Sequence, residues 1–135
     1  MGIQQQREKK SLATLTGYMG LLLIVSSIPG HEPHSRDLGY LLALVPPIMQ
    51  NLFHVPAYGV LALLWIRTLQ AYGIGARPSM WAAFVLASSY GALLELYQLW
   101  IPGRFPSLWD FALNVVGILL FSRLYWRAIR PAPAC

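Results

Sequence analysis

The most constraining feature of this chain is how rarely a charge interrupts it. Between residues 38 and 129 the only charged side chains are Arg67, Arg77, Glu95, Arg104, Asp110, Arg123 and Arg127, and the stretches between them are apolar. A bilayer core about 30 Å thick is crossed by about 20 apolar helical residues, and no water is present there to satisfy an open backbone. Runs of that length and composition therefore fold as helices in lipid. The composition agrees: 56% of residues are hydrophobic and 11% charged, with a mean hydropathy of +0.51, outside the range of an ordinary soluble domain.

The runs divide into four expected spans, at about residues 12–28, 48–67, 78–100 and 107–126. The predicted fold is an all-α integral membrane bundle of four transmembrane helices, a single domain over residues 1–135. The apolar segment at 38–45 is too short to cross and is stopped by Pro46-Pro47, so it is expected to lie in the interface or re-enter. The first run follows Arg7, Lys9 and Lys10 as in a signal peptide. Ser26-Ser27-Ile28-Pro29 is a poor cleavage site, however, and a retained helix is expected. Pro56 lacks an amide hydrogen, which predicts a kink where the carbonyl of Leu52 loses its partner. Trp81 and Trp100 mark the two ends of the third span, and most tyrosines are expected in interfacial belts.

The net charge of +5 is explained by orientation, and no nucleic-acid partner is expected. With both termini cytoplasmic, Arg7, Lys9, Lys10, Arg67, Arg77, Arg123, Arg127 and Arg130 lie inside, against Arg36 and Arg104 outside. The only cysteine, Cys135, excludes an internal disulfide. His31 and His34 flank a proline without other soft ligands, and neither a metal nor a cofactor is expected.

The rare polar residues recur at matched depths. A rise of about 1.5 Å per residue puts Glu95 about 8 Å below Trp100, Asn114 about 10 Å below Ser107, and His54 about 9 Å below Ile48. Gln98, Asp110 and Asn51 repeat the match nearer the surface, at about 3–5 Å. Three helices can thus present these groups to each other around a wet cavity on the non-cytoplasmic side. Facing lipid singly, an ionised carboxylate costs about 2.5–3.5 kcal/mol at the bilayer centre. The candidate ligand-binding set is His54, Tyr58, Glu95, Gln98, Arg104, Ser107, Asp110 and Asn114.

Each member also has a plain structural reading. Glu95 and Gln98 can glue helices together, and His54 with Tyr58 can be a satisfied buried pair. Ser107 and Asp110 have the spacing of a helix N-cap with an acidic third residue. Arg104 suits either a weak surface ion pair or a phosphate or carboxylate ligand.

These residues resemble the VanZ-like family, small bacterial membrane proteins named after a teicoplanin-resistance protein. The resemblance rests on Glu95-x-x-Gln98, Pro102-Gly103-Arg104, Ser107-x-x-Asp110 and Asn114-x-x-Gly117, with His54 and Tyr58 matching an earlier block. This chain departs from the pattern at Gln50-Asn51, where the family often has Asp-Lys, and at Phe121, where it has a small residue. The resemblance implies a cell-envelope role in the bacterial cytoplasmic membrane, linked in some members to glycopeptide resistance, and brings no reaction with it. Three functions follow as expectations. The first is non-enzymatic binding of a membrane lipid or lipid-linked cell-wall precursor. The second is acid-base chemistry by Glu95 or Asp110 with His54. The third is an accessory subunit with a membrane-protein partner.

Overall fold

The computed structural model describes residues 2–29 and 47–129. The loop and short apolar segment expected over 30–45, and the tail from Arg130 to Cys135, lie outside the described residues. Within them the chain is all-helical, without strands. The helices are α1 (Ile3–Ser26), α2 (Pro47–Leu52), α3 (His54–Ala71), α4 (Ala76–Tyr97) and α5 (Leu108–Ile129), with a 3-10 turn at Gln98–Trp100.

Helix α1 begins well before the expected residue 12, because Gln4 through Lys10 are good helix formers and Gln4 Nε2 bonds Glu8 Oε1 one turn on at 3.2 Å. The second expected span is two helices. The two helices meet at Phe53, whose φ of −63° and ψ of −21° stay helical and which keeps its backbone bonds, donating to Met49 O at 3.2 Å and accepting from Ala57 N at 3.1 Å. Pro56 accounts for the break, since it leaves the Leu52 carbonyl without an amide. At the third position of α3 the missing proline hydrogen costs nothing, because the first amides of a helix have no intrahelical partner.

The Ala76–Trp100 and Leu108–Ile129 segments are long and apolar enough to cross a membrane, and only 33% and 22% of their most apolar windows are buried in the protein. A soluble core helix would be mostly buried. Trp81, Trp100, Phe105 and Trp109 are exposed with Leu93, Val116 and Leu119, an apolar exterior that fits lipid contact. Helices α1 and α3 do not reach the same hydropathy. The polar start of α1 and His54, Tyr58, Arg67 and Gln70 of α3 dilute it.

Helix α3 is the centre of the bundle, touching α1, α4 and α5. Its Tyr58, Leu61 and Ala62 share a core with Leu15, Ala87 and Ile118. Small residues let the backbones approach. A Cβ on Gly117 would lie 2.1 Å from the Val55 carbonyl oxygen, and one on Gly59 would lie 2.4 Å from the Phe121 ring. Helix α1 is tied on by two tyrosines rather than by a polar stripe. Tyr18 donates its hydroxyl to the Ala57 carbonyl at 2.9 Å, and Tyr90 donates to Met19 at 2.6 Å. These two tyrosines are interhelical ties, exceptions to the belt expected for most tyrosines.

Candidate functional site

The α4–α5 connection positions one end of the site. Arg104 donates its amide to the Ile101 carbonyl at 3.1 Å, closing a turn with Pro102 second and Gly103 third. Gly103 has φ +72°, the conformation that the third residue of a type II turn requires. The helix end tightens ahead of this turn, so that Gln98 sits in the 3-10 segment and is 7% exposed.

Beyond the turn, Ser107 caps α5. Its Oγ accepts from Trp109 N at 3.2 Å and Asp110 N at 3.3 Å, while its carbonyl accepts from Phe111 N. In a capping box the third residue's side chain would bond back to the cap amide. Here Glu95 of α4 takes that role, accepting from Ser107 N at 3.2 Å. The side chain of Asp110 is thereby released. Its Oδ1 is sealed from solvent and makes no hydrogen bond.

Helix α3 brings the third wall. Helical spacing puts His54 and Tyr58 on one face, with rings stacked 6.2 Å apart and 7° from parallel. His54 Nδ1 lies 2.8 Å from Asn114 Oδ1 on α5. Because that oxygen can only accept, Nδ1 carries a proton, and in the neutral ring the lone pair is then on Nε2. Asn114 is fully buried, a position tolerable for an amide only with such a partner.

These elements enclose a cavity of about 310 Å³. His54, Tyr58, Glu95, Gln98, Arg104 and Asp110 line it together with Asn51. Ser107 and Asn114 stand behind the lining, bonded to Glu95 and His54. All eight candidate residues therefore meet at one end of the bundle. A ring nitrogen of His54 and carboxylate oxygens of Glu95 and Asp110 lie within 4.8 Å of one another.

Arg104 makes no ion pair among the described residues. Its Nε donates to the Ile28 carbonyl at 3.0 Å, which pulls the guanidinium toward the end of α1. That bond occupies one of five guanidinium donors, and the side chain still lines the cavity.

Sequence reasoning leaves out the apolar part of the lining. Leu22, Val25 and Ser26 of α1 close the cavity with Phe53 and Ala57. Leu22, Val25, Phe53 and Ala57 carry no polar signal, and Ser26 reads as the end of an apolar run. Asn51 gave a usable signal, its depth matching Gln98 and Asp110.

No protein-family model, curated protein or solved structure matches the chain. The likeness to the VanZ-like pattern therefore rests on the residues quoted for it.

Proposed function

We propose that this chain is a four-span protein of the bacterial cytoplasmic membrane, VanZ-like in type, with both termini cytoplasmic. In this reading α1 and α3 cross beside α4 and α5, and the cavity opens into the outer leaflet. There it binds the polar head group of a membrane lipid or lipid-linked cell-wall precursor.

The observation that carries this reading is the mixed lining. Polar Asn51, His54, Glu95, Gln98, Arg104 and Asp110 line the cavity together with apolar Leu22, Val25, Phe53 and Ala57. A molecule with a polar head and an apolar tail matches that combination. The volume of about 310 Å³ is at the lower end for ligand pockets, about 300–1,000 Å³. It suits a head group with its chains left in the lipid. Arg104 supplies planar donors of the kind that bind phosphate.

The test is retention of a polyprenyl diphosphate by the purified chain, read by native mass spectrometry. Arg104→Ala is expected to lower occupancy at least about tenfold, the loss of one charge-assisted contact of about 1.5–3 kcal/mol, while helical content is unchanged. Equal occupancy in the variant rejects the reading. Glycopeptide susceptibility in cells lacking the protein is the physiological counterpart.

A second reading is favoured by the mutual reach of His54, Glu95 and Asp110. Proton transfer on a lipid-linked substrate uses such groups. Turnover of the bound lipid that disappears in His54→Ala supports it, and binding without turnover rejects it.

A further inference from the structure

The geometry points to a divalent transition-metal site built from His54, Glu95 and Asp110, one ligand from each of α3, α4 and α5. It occupies the cavity already described but does not depend on a head group entering it.

The first argument is charge. Glu95 is 6% exposed, and its carboxylate has one bonded oxygen, Oε2, held by Ser107 N. Neither oxygen of Asp110 accepts a hydrogen bond among the described residues, and Oδ1 is fully enclosed. Two carboxylates sharing a site repel each other unless a countercharge lies close to both. Arg104 lines the same cavity but its Nε is held by the Ile28 carbonyl, and a divalent cation seated between the two carboxylates offsets both of their charges directly.

The second argument is the histidine. A metal-ligating imidazole ordinarily hands its other N–H to an acceptor that fixes the ring and its tautomer. Asn114 Oδ1 is that acceptor at 2.8 Å, and Nε2 keeps the lone pair. Fully buried Asn114 otherwise does little on its helix, since its Nδ2 has no partner.

The third argument is reach. Bonds of about 2.0–2.1 Å to a four-coordinate ion set its ligands about 3.4 Å apart. A ring nitrogen of His54 and carboxylate oxygens of Glu95 and Asp110 already lie within 4.8 Å of one another, so the proposal requires only a modest contraction of these side chains around the ion. One nitrogen and two carboxylates suit Zn²⁺ or Mn²⁺ better than a thiol-loving ion. Three protein ligands leave coordination positions open toward the cavity, where a phosphate oxygen could bind.

The experiment uses tag-free full-length protein carrying His31→Ala, His34→Ala and Cys135→Ser, so that His54 is the remaining histidine and no thiol is present. After treatment with a chelator, Zn²⁺ and Mn²⁺ are titrated separately in detergent without added lipid, and bound metal is measured by equilibrium dialysis. The expected result is one ion of at least one metal per chain. Glu95→Gln, Asp110→Asn and His54→Ala should each lower affinity at least about tenfold, given that even supporting residues of metal sites contribute about 10–100-fold. Binding of Co²⁺ to the protein with all three ligands intact should also give the visible bands of a low-symmetry site, a readout independent of how the variants fold. No stoichiometric ion, or the same affinity when all three ligands are replaced, overturns the proposal. Lipid binding that persists without metal leaves the head-group reading standing and separates the two.

Discussion

Gly117→Ala should destabilise the protein by about 3 kcal/mol or more, at the upper end of the cost of overpacking a core. The added Cβ would meet Val55 backbone, with the carbonyl oxygen at 2.1 Å and the carbonyl carbon and Cα at 2.9 Å. No side chain can rotate away to relieve that contact, so α5 must withdraw from α3. The withdrawal also carries Asn114 from His54 and separates two walls of the cavity. Gly59→Ala is the graded comparison, because its new Cβ would meet the Phe121 ring, a side chain that can move at lower cost. Gly17→Ala is the control: nothing lies within 4 Å, and replacing a mid-helix glycine should gain about 0.5–1 kcal/mol. Thermal unfolding in detergent should rank the three with Gly117→Ala lowest and Gly17→Ala highest. A Gly117→Ala protein as stable as the parent contradicts the close α3–α5 approach.

Asn114→Leu should cost about 1–3 kcal/mol, because it leaves the half-buried His54 imidazole donor without its acceptor and loses a fully buried amide contact. Leucine keeps the approximate volume, so cavity formation contributes little. The double variant His54→Phe with Asn114→Leu removes both partners and should recover part of that loss, since an apolar pair leaves nothing unsatisfied. Head-group binding should stay lost in the double variant, because the restored packing brings back no polar contact. Denaturant unfolding combined with lipid retention separates stability from binding. If Asn114→Leu matches the parent in both, the His54–Asn114 contact organises neither the bundle nor the site.

The scarcity of charge made the helical architecture legible, since apolar runs of bilayer length admit few alternatives. Matched depths, combined with the short turn at Pro102-Gly103, made it legible that His54, Glu95 and Asn114 could face one another. The pairwise chemistry was not legible. Spacing placed Asp110 opposite Ser107 in a local cap, but the bonded partner of the Ser107 amide is Glu95 from the neighbouring helix. A contact twelve residues away through a turn leaves no periodic signature. Arg104 likewise spends Nε on the Ile28 carbonyl, and any backbone carbonyl could have served. Tyr18 and Tyr90 illustrate the same limit. Both lie in the middle of apolar runs, and nothing in the sequence shows that their hydroxyls bond backbone on adjacent helices. Helix α3 is less apolar than α4 and α5 partly because His54 and Tyr58 face the cavity, and partly because Arg67 and Gln70 lie near its other end.

Substituted-cysteine labelling tests the central claim, a water-filled polar cavity at the outer end of a membrane bundle, most directly. In a Cys135→Ser background, Asn51→Cys and Gln98→Cys place a thiol at the cavity, whereas Leu93→Cys and Val116→Cys place it on the exposed apolar exterior. A membrane-impermeant maleimide applied to intact cells should label the first two and leave the last two unmodified. Absence of labelling at positions 51 and 98, or labelling there only after the membrane is opened, contradicts the account.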